Sequence, residues 1–291
     1  MESEGKLNRS LEFLPDDETL SERKLDKKGL TRPELSVLIS YVKGGLKQTL
    51  IDSSLPDEPL LAGEMYKVFP QDLTRKFSKE LGEHQLRREI IATQIANDMV
   101  NHMGITFVER LKQSTGADAA SIALAWIIAR DVFRLDTWWD KVEYLDYFIP
   151  AKVQMDLMGD LMRLIRRAVR WLLRNRRAEL GIQSHMERFA DSVWKITADL
   201  PDYLGEQACA DWKKRHNELV ESGLPEDLAS VAAGTSYLYS SLGIIEAREA
   251  TGMPLKTVAN LYYDLGDKLD LNWFANAIAA LVPASHWQAL A

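Results

Sequence analysis

A single cysteine, Cys209, stands in 291 residues, which excludes an internal disulfide and any multi-thiolate metal site and points to a reducing compartment. Long apolar runs are lacking too. The longest, IALAWIIA, is closed by Arg130, well short of the roughly 20 residues that span a bilayer, and MESEGKLNRS has no apolar h-region of the kind a signal peptide needs. The chain therefore reads as cytoplasmic, with no membrane partner. Strand-type alternation is nearly missing. No G-x-G-x-x-G follows a strand and no P-loop occurs, so nothing can cradle a dinucleotide pyrophosphate in the usual way. The segment GTSYL at 234–238 lacks the second glycine of a nucleophile elbow. Of the five histidines, His84, His102, His185, His216 and His286, none sits three residues after a glutamate, the spacing that carboxylate-bridged bundle sites use. His84 and His102 would share a helix face but stand ~27 Å apart at 1.5 Å per residue, too far to hold one metal.

What is present is one period. Apolar residues recur at three- and four-residue intervals in segment after segment, as in HQLRREIIATQIANDMVNHM, where Leu86, Ile90, Ile91, Ile95 and Met99 share a face. Helices are predicted over 32–50, 57–68, 71–81, 83–103, 105–114, 118–134, 136–148, 150–178, 183–198, 202–221, 225–249, 254–267 and 270–282, punctuated by Pro and Gly in FPQD, MGI, STGAD, IPA, LGI, SGLP, TGMP and LVPAS. The fold class is all-α, a multi-helix array or bundle. With 46% apolar and 27% charged residues the composition is that of an ordinary globular protein with a sizeable core. Residues 1–28 are polar and weakly periodic and read as a mobile tail end of something preceding; residues 29–291 read as the helical domain, in one or two lobes.

The sharpest local signal is LTRPELSVLISYV. Thr31 and Glu34 have capping-box spacing, Leu30 and Leu35 stand where a hydrophobic staple would close, and Pro33 fits a first helical turn. Gly44 and Gly45 then weaken the same helix, which points to close packing or a bend. Trp138 and Trp139 read as core or interface packing rather than a ligand platform. The run IIEAREATGMPLKTVANLYYDLG has the outline of a DNA-reading unit with Lys256, Thr257 and Asn260 on its second helix. However, Glu246, Glu249, Asp264, Asp267 and Asp270 would crowd any phosphate backbone.

Against this acidic background RLIRRAVRWLLRNRR, residues 163–177, carries seven arginines and no acid. Removing them from a formal charge of −7 leaves −14, so the global balance argues against a nucleic-acid partner. On a helix, Arg163, Arg167, Arg170, Arg174 and Arg177 form one stripe, with Leu161, Ile165, Ala168 and Leu172 roughly opposite. Like charges in a row repel, and Asp136, Asp140 and Glu143, spaced at four and three residues, are candidate acidic partners. These eight charged residues are the candidate interface; catalytic, cofactor-binding and metal residues are expected to be none.

The segments LNRSLEFLPDDETLSERK, GLTRPELSVLISYVK, HQLRREIIATQIANDMVNHMGITFVERL and RRAVRWLLRNRR resemble, in the same order, the C-terminal region of the large-subunit class of bacterial NAD-specific glutamate dehydrogenases. The resemblance implies a fragment of a larger multidomain enzyme whose Met1 is not its natural start. It implies that the intact parent, with NAD as cofactor, oxidatively deaminates L-glutamate to 2-oxoglutarate and ammonium. The family keeps its catalytic lysine, acid and nucleotide turn upstream, so no catalytic residue carries over and the fragment alone is expected to be inactive and cofactor-free. The implied partners are the catalytic domain of the same polypeptide and further copies in a homo-oligomeric parent, which the fragment would help to assemble or regulate. Two other readings stay open: an independent all-α enzyme or ligand-binding module with a pocket between helices, and a nucleic-acid adaptor using the arginine helix.

Overall fold

The computed structural model describes Glu2, Gly5 and residues 7–175 and 180–269. Among these residues all regular structure is helical: sixteen α-helices, two short 3-10 turns and no strand. The chain divides between Trp126 and Ile127 into two compact units.

The first unit contains α1 (Asp17–Leu25), α2 (Arg32–Ile51), 3-10 turns at Leu55–Asp57 and Pro59–Leu61, α3 (Ala62–Tyr66), α4 (Gln71–Lys76), α5 (Ser78–Gly82), α6 (Arg87–Met103), α7 (Phe107–Thr115) and the start of α8 (Ala119–Val132). Its core forms where α2 and α3 lie against α6. The buried stripe of α6 is Ile91, Ala92, Ile95, Ala96, Met99, Val100 and Met103, and a fully buried Ile or Met contributes about 1.5–3 kcal/mol. Leu86, predicted to share that face, precedes the helix as its N-cap and is exposed, and Ile90 is half-buried. The first turn of α6 also holds the end of α2. Arg88 Nη2 donates to the carbonyls of Ile51 at 2.7 Å and Ser53 at 2.8 Å, satisfying acceptors that a helix end leaves without partners. The helix α1 lies where the periodicity marked none, capped by Asp16, whose carboxylate accepts the Thr19 N–H at 2.8 Å. It is tied to α2 through Arg23 and Glu34.

The second unit contains the rest of α8, then α9 (Leu135–Tyr144), α10 (Ala151–Arg174), α11 (Ile182–Ala198), α12 (Leu200–Tyr203), α13 (Glu206–Glu221), α14 (Glu226–Leu238), α15 (Ser241–Thr251) and α16 (Leu255–Lys268). Helix α10 packs on α9 and α14, α14 on α13 and α11, α11 on α15, and α15 on α16. The run predicted as one helix over 225–249 is two. It tightens at Ser240, whose N–H bonds to Tyr237 O, and α15 departs from α14 at 64°. Neither a glycine nor a proline marks that bend. Where glycine was read as punctuation the structure agrees: Gly116 and Gly252 end α7 and α15 in the left-handed conformation, which glycine adopts without steric cost. The helix predicted over 270–282 and the end of the one predicted over 150–178 lie outside the described residues.

Candidate interaction surface

Helix α10 is the most strongly two-sided element. Leu157, Leu161, Leu164, Ile165, Ala168, Val169, Leu172 and Leu173 are buried, whereas Arg163, Arg167, Arg170 and Arg174 are all exposed. The stripe inferred from spacing is thus present on the outward face; Arg177 lies outside the described residues. Its arginines differ in what they touch. Arg163 pairs with Asp160 one turn back, and Asp160 also receives Arg215 Nη2 from α13 at 2.9 Å. The guanidinium of Arg167 lies 4.5 Å over the Tyr239 ring, a cation–π geometry. Arg170 has no ion pair among the described residues.

The three acids proposed as partners sit on or at the exposed side of α9. Asp136 is half-buried and faces Arg130 Nε at 3.7 Å, while Asp140 and Glu143 are exposed with no ion pair among the described residues. Arg163 and Asp136 are therefore both engaged, each by another residue. The partner that spacing reasoning missed, Asp160, was legible as the Asp–Arg pair at i, i+3 in DLMR.

Other candidates resolve into local packing. Trp139 is buried, and Trp138 is half-buried with its Nε1 donating to Phe133 O at 3.2 Å. Of the histidines, His84 accepts the Leu86 N–H, His102 bonds to Asp98 O, and His216 stacks on Trp212 and faces Glu226 at 3.2 Å. His185 is buried beside Gly181 O, and burial lowers its pKa below the usual imidazole range. His286 lies outside the described residues. No group of three or more potential metal ligands comes together among the described residues. In the segment resembling a DNA-reading unit, Glu249 is taken by Arg188, and Asp264 and Asp267 face Gly205 at the start of α13.

A shallow groove of about 550 Å³ along α2 is lined by Ser40, Tyr41, Gly44, Gly45, Gln48, Thr49 and Asp52. That lining offers an anionic carboxylate and no cation, so it does not suit the pyrophosphate of NAD. The described residues also lack the strand-to-helix turn that would cradle one. Gly44 is exposed, with open space where a Cβ would sit, so of the close packing or bend expected of the glycine pair, close packing is not found at Gly44.

Fold and surface together define, among the described residues, an all-α chain with an exposed arginine face on α10. No single helix among the described residues is long and apolar enough to cross a membrane. The chain belongs to the glutamate dehydrogenase C-terminal family, whose model matches residues 27–291. It is similar to proteins named NAD-specific glutamate dehydrogenase from Pseudomonas aeruginosa, at 48% identity over 291 residues, and from Halomonas elongata, at 43% over 291 residues. A third protein of that name, from Mycobacterium tuberculosis, is 32% identical over 289 residues. Essentially all of this chain is covered in each case, yet it spans only 18% of the length of each relative.

Proposed function

We propose that residues 29–291 form a non-catalytic helical domain that packs on the catalytic region of its own polypeptide, with residues 1–28 leading into it. The parent is a cytoplasmic, homo-oligomeric, NAD-specific glutamate dehydrogenase converting L-glutamate and NAD to 2-oxoglutarate, ammonium and NADH. One observation supports this above others: the whole chain aligns with 18% of relatives bearing that name, so most of such a polypeptide lies in other regions. An exposed arginine face on a chain of net charge −7 fits a protein contact better than phosphate binding.

Calorimetry on the isolated chain and a deletion in the parent test this reading. The isolated chain is expected to produce no NADH from glutamate and to bind NAD no tighter than roughly millimolar, about 4 kcal/mol. Deleting the region from the parent is expected to lower subunit assembly or activity. A micromolar NAD constant for the chain alone, or a deleted parent with unchanged assembly and activity, overturns it.

A further inference from the structure

The connection between α9 and α10 presents aromatic rings to solvent from a backbone that is held in place. Tyr144, Tyr147 and Phe148 are 81%, 97% and 76% exposed, and Met155, one turn into α10, is 71% exposed. Fraying does not account for this. The amides of Leu145, Asp146 and Phe148 donate to the carbonyls of Val142, Glu143 and Leu145, and Gln154 Nε2 donates to Val142 O at 3.1 Å. Val142 and Ile149 are buried on either side of the turn. Tyr144 and Phe148 stack on one another, with centroids 6.3 Å apart and planes 16° apart.

Tyr147 is the decisive residue. Its φ of 67° lies in the left-handed region, where a bulky side chain is strained and Gly or Asn serves better. At 97% exposure its ring also contributes nothing to the core. Neither backbone nor packing accounts for a tyrosine there, whereas a partner that covers the ring does. The neighbouring acids point to the character of that partner. Asp140, Glu143 and Asp146 are exposed and have no ion pair among the described residues, so the apolar rings are accompanied by uncompensated negative charge.

We propose that Tyr144, Tyr147, Phe148 and Met155, with Asp140, Glu143 and Asp146 at the rim, dock into an apolar hollow rimmed by Lys or Arg on the catalytic region of the same polypeptide. The occupant follows from the length of the relatives, of which this chain spans 18%, and from the charge complementarity those three acids demand. The inference rests on the docking function proposed above and assigns it a face.

The test uses the intact parent with p-benzoylphenylalanine in place of Tyr147, and a control with the same probe in place of Lys213, an exposed position on α13. Irradiation is expected to join position 147 to a peptide of the catalytic region with the mass of one chain, and position 213 to nothing. Replacing Asp140, Glu143 and Asp146 together by Lys is expected to lower the yield at least tenfold, while circular dichroism shows the helical melt retained. A product with the mass of two chains, no product, or an equal yield from positions 147 and 213 overturns the proposal. A yield unchanged by the charge reversal overturns the cationic rim. Loss of the cross-link while deletion of the region still impairs the parent rejects this face alone; NAD binding by the isolated chain rejects the underlying reading.

Discussion

The Arg23 guanidinium donates to Glu34 Oε2 at 2.7 Å, and the same carboxylate oxygen accepts the Thr31 backbone N–H at 2.7 Å. One side chain thus closes the start of α2 and ties α1 to it. The capping box was legible as Thr31–Glu34 spacing, and the structure forms it, although Glu34 N–H to Thr31 Oγ1 is long at 3.5 Å. The staple expected of Leu30 and Leu35 leaves both more than a third exposed, at 38% and 39%. Arg23 belongs to a helix the periodicity did not mark.

This junction predicts acid sensitivity. Hydrogen bonding from Arg23, then from Thr31, holds the Glu34 carboxyl down from an ordinary 4.5 to about 2. A carboxylate depressed in the folded state stabilises fully above its unfolded pKa, and its contribution disappears as pH falls through the folded value. Wild type is therefore expected to melt above Glu34→Gln at pH 6, with the gap narrowing from about pH 4.5 and vanishing near pH 2. Melting curves at several pH values decide; a gap constant with pH would refute the assignment.

Two glycines are expected to respond oppositely to alanine. In α2, Gly44 meets open space, so Gly44→Ala gains helix propensity of about 1 kcal/mol. In α14, a methyl group on Gly234 would overlap Leu200 Cδ2, itself buried, and approach Trp212 Nε1. Overpacking costs about 1–3 kcal/mol and exceeds the same propensity gain. Denaturant midpoints should rise for Gly44→Ala and fall for Gly234→Ala.

The contrast shows what the sequence could and could not reveal. Helix identity and buried faces follow from periodicity, which is why the two faces of α10 emerge as read. Tertiary proximity does not: nothing near Gly234 announces Leu200, thirty-odd residues earlier, and no turn residue marks the α14–α15 bend. The helix α1, with no buried residue, has no apolar stripe to detect. The exposure of Tyr147 and Phe148 is set by the turn that carries them rather than by residue type, since aromatic rings are more often at least partly buried.

A second tertiary contact invisible in the sequence joins α11 to α8. Trp194 Nε1 donates to Val132 O at 2.9 Å, and the Arg134 guanidinium lies 3.4 Å over the Trp194 ring. Val132 is buried, so removing its side-chain donor strands an acceptor away from water. Trp194→Phe is expected to lower stability by about 1–3 kcal/mol. Urea unfolding should show a lower midpoint with unchanged slope; an unchanged midpoint would mean that another donor satisfies Val132.

The arginine face supplies the last prediction. Arg167→Glu removes a cation from the Tyr239 ring, worth about 0.5–1 kcal/mol at an exposed position. Arg170→Glu breaks no ion pair among the described residues and relieves repulsion along the stripe. The double change should therefore alter the stability of the isolated chain by no more than about 1 kcal/mol. Lys213 and Lys214, exposed and without an ion pair among the described residues, provide the matched control. In the intact parent, any loss beyond the isolated-chain effect reports a contact made by the stripe. The double reversal at Arg167 and Arg170 is expected to weaken assembly or thermal stability of the parent well beyond the same reversal at Lys213 and Lys214. Equal and negligible effects at both pairs would show the stripe to be a solvated face, since exposed charges contribute little singly. If the arginine reversal instead abolished a steeply salt-dependent binding to RNA or DNA, phosphate neutralisation would be the function of the stripe.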